Sequence, residues 1–159
     1  MITVWHGGVA RFSHMPLSQI VDSPVGFVAE HIRSYVDSNG EDGHIWRGVP
    51  TLLLTTTGRK TGIGRRTALI YGRDADDFAI VASKGGHPTN PLWYENLATV
   101  SEVTVQVGSK TFQCVASTYI EDSHRQKIWD VMVAIWPGFA EYQEKTERRI
   151  PLVRLTRVK

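Results

Sequence analysis

At 159 residues the chain has the length of one domain, and two full catalytic domains are excluded. Apolar residues at 42% and charged residues at 21% are enough for a packed core and exclude wholesale disorder, collagen and coiled coil. The formal charge of +2, from 18 Lys and Arg against 16 Asp and Glu, is too small an excess for a general nucleic-acid binder.

Residues 1–21 mix polarities without a clear period and read as an N-terminal arm, with residues 22–159 forming the domain proper. After Pro24, the apolar and aromatic positions Val25, Phe27, Val28, His31, Ile32 and Tyr35 fall at helical spacing. The polar run from Asp37 to Gly43 should end that helix. Thr51 to Thr57 reads as a strand bounded by Pro50 and Gly58, Thr67 to Tyr71 as a second closed by Gly72, and Phe78 to Ser83 as a third. Their connections are too short for parallel crossovers, so they form a meander. A short helix is expected over Leu92 to Val100, with proline in its first turn. Val103, Val105 and Val107 alternate with polar residues, turn at Gly108-Ser109, and pair with Thr111 to Ile120. Asp122 or Ser123 is the expected cap of a helix carrying Ile128, Trp129, Met132, Val133 and Trp136. Pro137-Gly138 interrupts it, Phe139 to Thr146 resumes it, and Pro151 to Val158 alternates as a last strand. Six strands with helices between hairpins predict an α+β fold built on a mainly antiparallel barrel.

The stretch Gly58-Arg-Lys-Thr-Gly-Ile-Gly-Arg-Arg66 is the most informative local feature. Arg59, Lys60, Arg65, Arg66 and Arg73 follow one another with no acidic residue between them. Glycines at a strand-to-strand turn let backbone N–H groups converge on an anion, and the cations add forked or compact charge. Neither a GxxxxGK[ST] phosphate loop nor a GxGxxG dinucleotide turn is present. Two readings stay open from the residues alone: an anion site, or a solvated hairpin edge.

A second glycine turn, Ser83-Lys-Gly-Gly-His87, follows the third strand and leads to Trp93, Tyr94 and Asn96. Gly85 and Gly86 allow close backbone approach to a ligand, Ser83 offers a hydroxyl, Trp93 and Tyr94 could wall a flat ring, and Asn96 could reach its polar edges. Trp93 and Leu97 also lie four apart on one helical face, which is the pattern of core packing. The histidines show no metal-ligand spacing, so no metal site is expected. The one cysteine, Cys114, sits in a strand as a small buried side chain rather than a nucleophile, and excludes an internal disulfide. No run of about 18 apolar residues and no secretory layout occur, so a cytoplasmic protein is expected. Anion-binding turns without acid–base machinery suit a protein that borrows its reactive group from a cofactor.

In combination, TLLLTTTGRKTG with the following RxTxL, FAIVASKGGHPTNPLWYENL and WPGFAEYQEKTERRIPLVRL resemble the deazaflavin-dependent nitroreductases over about Val25 to Lys159. The resemblance implies a split β-barrel of the FMN-binding type, coenzyme F420, and hydride transfer to quinones, activated alkenes or nitroaromatics. It also implies that Arg59, Lys60, Arg65 and Arg66 surround the coenzyme's phosphate and acidic tail, with Thr67 and the strand after it beside the ring. Ala82, Ser83, Lys84, Gly85 and Gly86 would line the deazaflavin, with Trp93 and Asn96 closing the pocket. Tyr142 would face the acceptor, Ser83 sharing that role, and the N-terminal arm is where membrane contact would occur. Two alternatives remain open: an FMN-dependent oxidoreductase of the same barrel type, and a non-catalytic carrier of an anionic cofactor. The expected partner is a small-molecule electron acceptor, not nucleic acid.

Overall fold

The computed structural model describes residues 19–159. In chain order the elements begin with β1 (Ile20–Asp22), α1 (Gly26–Asp37), β2 (Ile45–Trp46), β3 (Val49–Thr57), β4 (Gly64–Asp74) and β5 (Asp77–Val81). A one-turn 3₁₀ helix at Lys84–Gly86 leads to α2 (Leu92–Thr99), β6 (Glu102–Val107), β7 (Lys110–Thr118), α3 (Asp122–Ile135), α4 (Gly138–Glu144) and β8 (Leu152–Arg157). The order β4-β5-β8-β7-β6-β3 closes back on β4, giving a six-stranded antiparallel barrel with flanking helices, the split-barrel arrangement. These are the six strands read from the sequence. Of the expected arm, all but its last three residues lie outside the described residues, and Ile20–Val21 already belong to β1.

The leucine run of β3 is buried on both faces, which explains why it does not alternate. Leu52 and Leu54 point into the barrel with Tyr71, Phe78, Ile80, Val105, Val153 and Leu155. Leu53 points outward beneath Ile32 and Tyr35 of α1. On another outer face Ala79, Val81 and Leu152 meet Ile128 and Met132 of α3 and Phe139 of α4. Gly72 does not close β4 as expected from sequence; it pairs with Ala79 inside the ladder, and a Cβ there would lie 2.6 Å from Met132 Sδ. The cap of α3 also differs: Glu121 holds the Ser123 and His124 amides at 3.1 and 2.8 Å, because its longer carboxylate reaches both.

Strand β4 is eleven residues long, and Gly64–Ile70 of it pair with β3 along one edge. Along the other, β1 runs parallel to Gly64–Arg66 and β5 antiparallel to Tyr71–Asp74. Between them the backbone of Thr67–Ile70 has no strand partner on that edge among the described residues.

Helix α1 is fixed over this region by the buried Tyr35 hydroxyl, which donates to the Thr51 carbonyl at 3.0 Å and accepts the Gly108 amide at 2.7 Å. Burial raises its pKa, so the phenol stays a donor. Tyr35→Phe leaves the Gly108 amide unpaired and should lower unfolding free energy by about 1–3 kcal/mol, read from urea denaturation.

Candidate functional site

A pocket of about 290 Å³ opens at the unpartnered edge. Ala68, Leu69 and Ile70 of β4 form its floor. One wall comes from Val81, Ser83 and Gly85, continued by Trp136 and by Phe139 and Tyr142 of α4. A second wall comes from Phe27, Val28 and His31 of α1, Trp46 of β2 and Thr51 of β3. The walls meet where Trp46 and Trp136 pack at 5.6 Å between ring centroids.

The first wall is held by Arg148. Its guanidinium donates to the carbonyls of Ala82, Ser83 and His87 at 3.2, 2.7 and 2.8 Å and to Asn90 Oδ1 at 2.8 Å. One rigid fork thus folds the whole loop after β5. Desolvation lowers its pKa from the arginine value, though an arginine remains charged. Gly86, at φ +82°, brings this loop against α4, since a Cβ would stand 2.6 Å from the Tyr142 carbonyl oxygen. Tyr142 is half-buried, edge-on to Phe139 at 6.2 Å, with Lys145 Nζ 5.8 Å from its ring centroid. Lys84, exposed, reaches Thr89 Oγ1 at 3.3 Å.

The cationic turn lies farther along the same strand. Gly64 precedes Ala68 by four residues, about 13 Å of extended chain. The turn closes through Gly58 N to Ile63 O and Gly62 N to Gly58 O, both 2.8 Å. Asn96, 5% exposed, anchors it: its Oδ1 accepts the Arg59 amide and Nη1 at 3.2 and 3.3 Å while its Nδ2 donates to Thr56 Oγ1 at 3.2 Å. Arg66 instead pairs bidentately with Asp22, at 2.6 and 3.2 Å, and so clamps β1 to β4. Among the described residues no carboxylate lies within ion-pair distance of Arg59, Lys60 or Arg65.

The structure therefore brings together Ser83, Gly85 and Tyr142 at the pocket, with Ala82, Lys84, Gly86 and Thr67 adjoining. Trp93 and Asn96 do not line this pocket. Trp93 packs against the barrel core, edge-on to Tyr94, because α2 turns that face inward with Leu97. Asn96 serves the cationic turn.

Comparison with known proteins settles the relationship. Residues 27–157 match the family described as F420H(2)-dependent quinone reductase. An F420H(2)-dependent quinone reductase of Mycobacterium tuberculosis is 39% identical over 148 residues, spanning 90% of this chain and 99% of that protein. The chain belongs to this family. Among solved structures, an F420-H2 dependent reductase (FDR-A) superposes with a TM-score of 0.63 at 38% identity, over 70% of this chain and 97% of the other. A chain described as a domain-swapped dimer gives 0.65 at 34% identity, over 84% and 99%.

Within this member of the quinone reductase family, sequence reasoning missed the second wall and Arg148. Phe27, Val28 and His31 stand at i, i+1 and i+4, one helical face, and that spacing was the available signal. β2 is two residues long and exists through its pairing with β3, so no local pattern marks it. Cys114 is fully buried, and desolvation pushes its thiol up to about 12, leaving it inert. No helix among the described residues is long and apolar enough to cross a membrane. Arg148→Met removes a charged fork from three carbonyls and should cost about 2–3 kcal/mol, with amides of residues 84–90 exchanging faster by hydrogen-exchange mass spectrometry.

Proposed function

We propose that the protein is an F420H2-dependent reductase that passes a hydride to electron-poor acceptors of the quinone and nitroaromatic type. Its supporting observation is the β4 edge left open among the described residues, with the turn that carries Arg59, Lys60 and Arg65, none of them paired with a described carboxylate, beginning about 13 Å along the same strand. A flat ring needs an exposed backbone edge to hydrogen-bond its polar rim, and a polyanionic tail needs uncompensated positive charge within reach. The residues present fit that group: the Thr67–Ile70 edge and the Ala82–Gly86 loop flank the ring, and Arg59, Lys60 and Arg65 take the tail. Arg66 contributes through Asp22, by holding β1 in place. Bound there, reduced deazaflavin supplies the hydride.

The chain's own groups then orient the acceptor and exclude water. Tyr142 and Ser83 present hydroxyls to an acceptor oxygen, which gains negative charge as it is reduced. Aromatic side chains on both walls give the acceptor ring apolar faces to rest on. FMN, with a single phosphate, would use only part of the cationic turn, so the two coenzymes are separable by binding.

Anaerobic mixing of the protein with reduced F420 and menadione should restore the absorbance of oxidised deazaflavin; no turnover with any quinone or nitroaromatic rejects the reading. The double variant Lys60→Ala/Arg65→Ala should weaken F420 binding about tenfold, two exposed contacts together contributing about 1.4 kcal/mol, with little effect on FMN. Added salt should erase most of that difference. Tyr142→Phe should bind F420 normally yet reduce menadione about ten- to a hundredfold more slowly in single-turnover kinetics.

A further inference from the structure

Reduction of a quinone to a hydroquinone takes one hydride and one proton, and the hydroxyls of Tyr142 and Ser83 can hydrogen-bond an acceptor oxygen but leave the source of that proton unassigned. On the second wall, His31 lies half-buried at the pocket, stacked on Trp46 at 6.3 Å between centroids and 17° between planes. Its Nε2 lies 2.7 Å from the Gly43 carbonyl oxygen and 3.3 Å from Thr51 Oγ1. A carbonyl only accepts, so Nε2 carries a hydrogen in either protonation state of the ring. The Thr51 hydroxyl donates to that same carbonyl at 2.5 Å, so its oxygen lone pairs face the imidazole. The proton that His31 exchanges is therefore the one on Nδ1. Nδ1 has no protein partner among the described residues, and none of their buried side-chain polar atoms lacks one, so Nδ1 is open to solvent or ligand. The neighbouring titratable and charged groups include Tyr35, 6.2 Å away between centroids, Arg47, whose guanidinium stands 4.6 Å from the centroid of Trp46, His44, whose carbonyl lies 3.1 Å from Thr51 Oγ1, and Tyr142 on the same pocket. No carboxylate among the described residues pairs with His31.

Resting on the function proposed above, we infer that His31 is a catalytic residue: its Nδ1–H protonates the acceptor oxygen while the acceptor ring lies against Trp46. The acceptor gains two electrons and one hydrogen as hydride from the reduced coenzyme, and an O–H bond forms as the Nδ1–H bond breaks. The neutral imidazole then retakes a proton from solvent, matching the proton released when the coenzyme is oxidised. Gly43 and Thr51 keep the ring from rotating throughout.

His31→Gln tests this, because its side-chain amide can still donate to Gly43 and Thr51 but offers nothing in place of Nδ1. It should melt like the wild type and bind F420 equally, yet reduce menadione about a hundredfold more slowly. In His31→Ala, added imidazole should restore part of the rate. In the coenzyme-free wild type, 15N NMR should show the His31 Nδ1 resonance moving with 1-naphthol, whose hydroxyl mimics the product, and not with naphthalene. A His31→Gln rate within threefold of wild type, or an Nδ1 resonance unmoved by 1-naphthol, overturns the assignment. A wild type that reduces no quinone overturns the proposed function itself, and this inference with it.

Discussion

Four consecutive residues of β4 that have no strand partner on one edge among the described residues are the constraint on which the rest of the molecule depends. A barrel ordinarily leaves no free edge, because every backbone N–H and C=O finds a neighbour. Here β1 and β5 stop short of each other, and the outward-facing backbone groups of Thr67–Ile70 have no strand partner among the described residues, so they are open to a hydrogen-bonding molecule. The closed ring β4-β5-β8-β7-β6-β3 keeps that gap from collapsing, since the strand is held along its other edge by β3.

Around the gap, rigidity comes from unusually few groups. Arg148 gathers four acceptors from one loop, Gly86 lets that loop touch α4, and Tyr35 ties α1 to strand β3 and to the turn between β6 and β7. Asn96 does the same for the cationic turn from the far side. Each is a polar group satisfied in several directions, so each fixes geometry more than a hydrophobic contact of equal size does. The aromatic walls can then remain apolar and dry without losing their shape.

The barrel was legible because its signals are local. Gly58 and Gly64 bracket one turn, Gly108-Ser109 makes another, and valines alternate between them. The antiparallel α+β architecture and the family resemblance both agree with the structure and the comparisons. β1 and β2 were not legible: Asp22 finds its partner Arg66 across 44 positions, and β2 has two residues. At the site, turn chemistry and motif pointed to Ser83, Gly85 and Tyr142, which line the pocket, and to Trp93 and Asn96, which lie outside it; an aromatic and an amide beside a glycine loop look alike in sequence whether they face a ligand or serve packing. Periodicity put His31 on a helical face without saying what that face meets, and Arg148 acts through contacts distant in sequence, which periodicity does not carry.

The ion pair between Asp22 and Arg66 has a consequence for the breadth of the opening. β1 contributes three residues of ladder, and this half-exposed pair is its side-chain anchor to β4. Detachment would lengthen the bare margin from 67–70 to 64–70, joining the ring-sized gap to the charged bend in one uninterrupted trough. Salt that screened the pair would loosen this hold on β1, and a long anion reaching Arg66 would meet a carboxylate the chain itself provides.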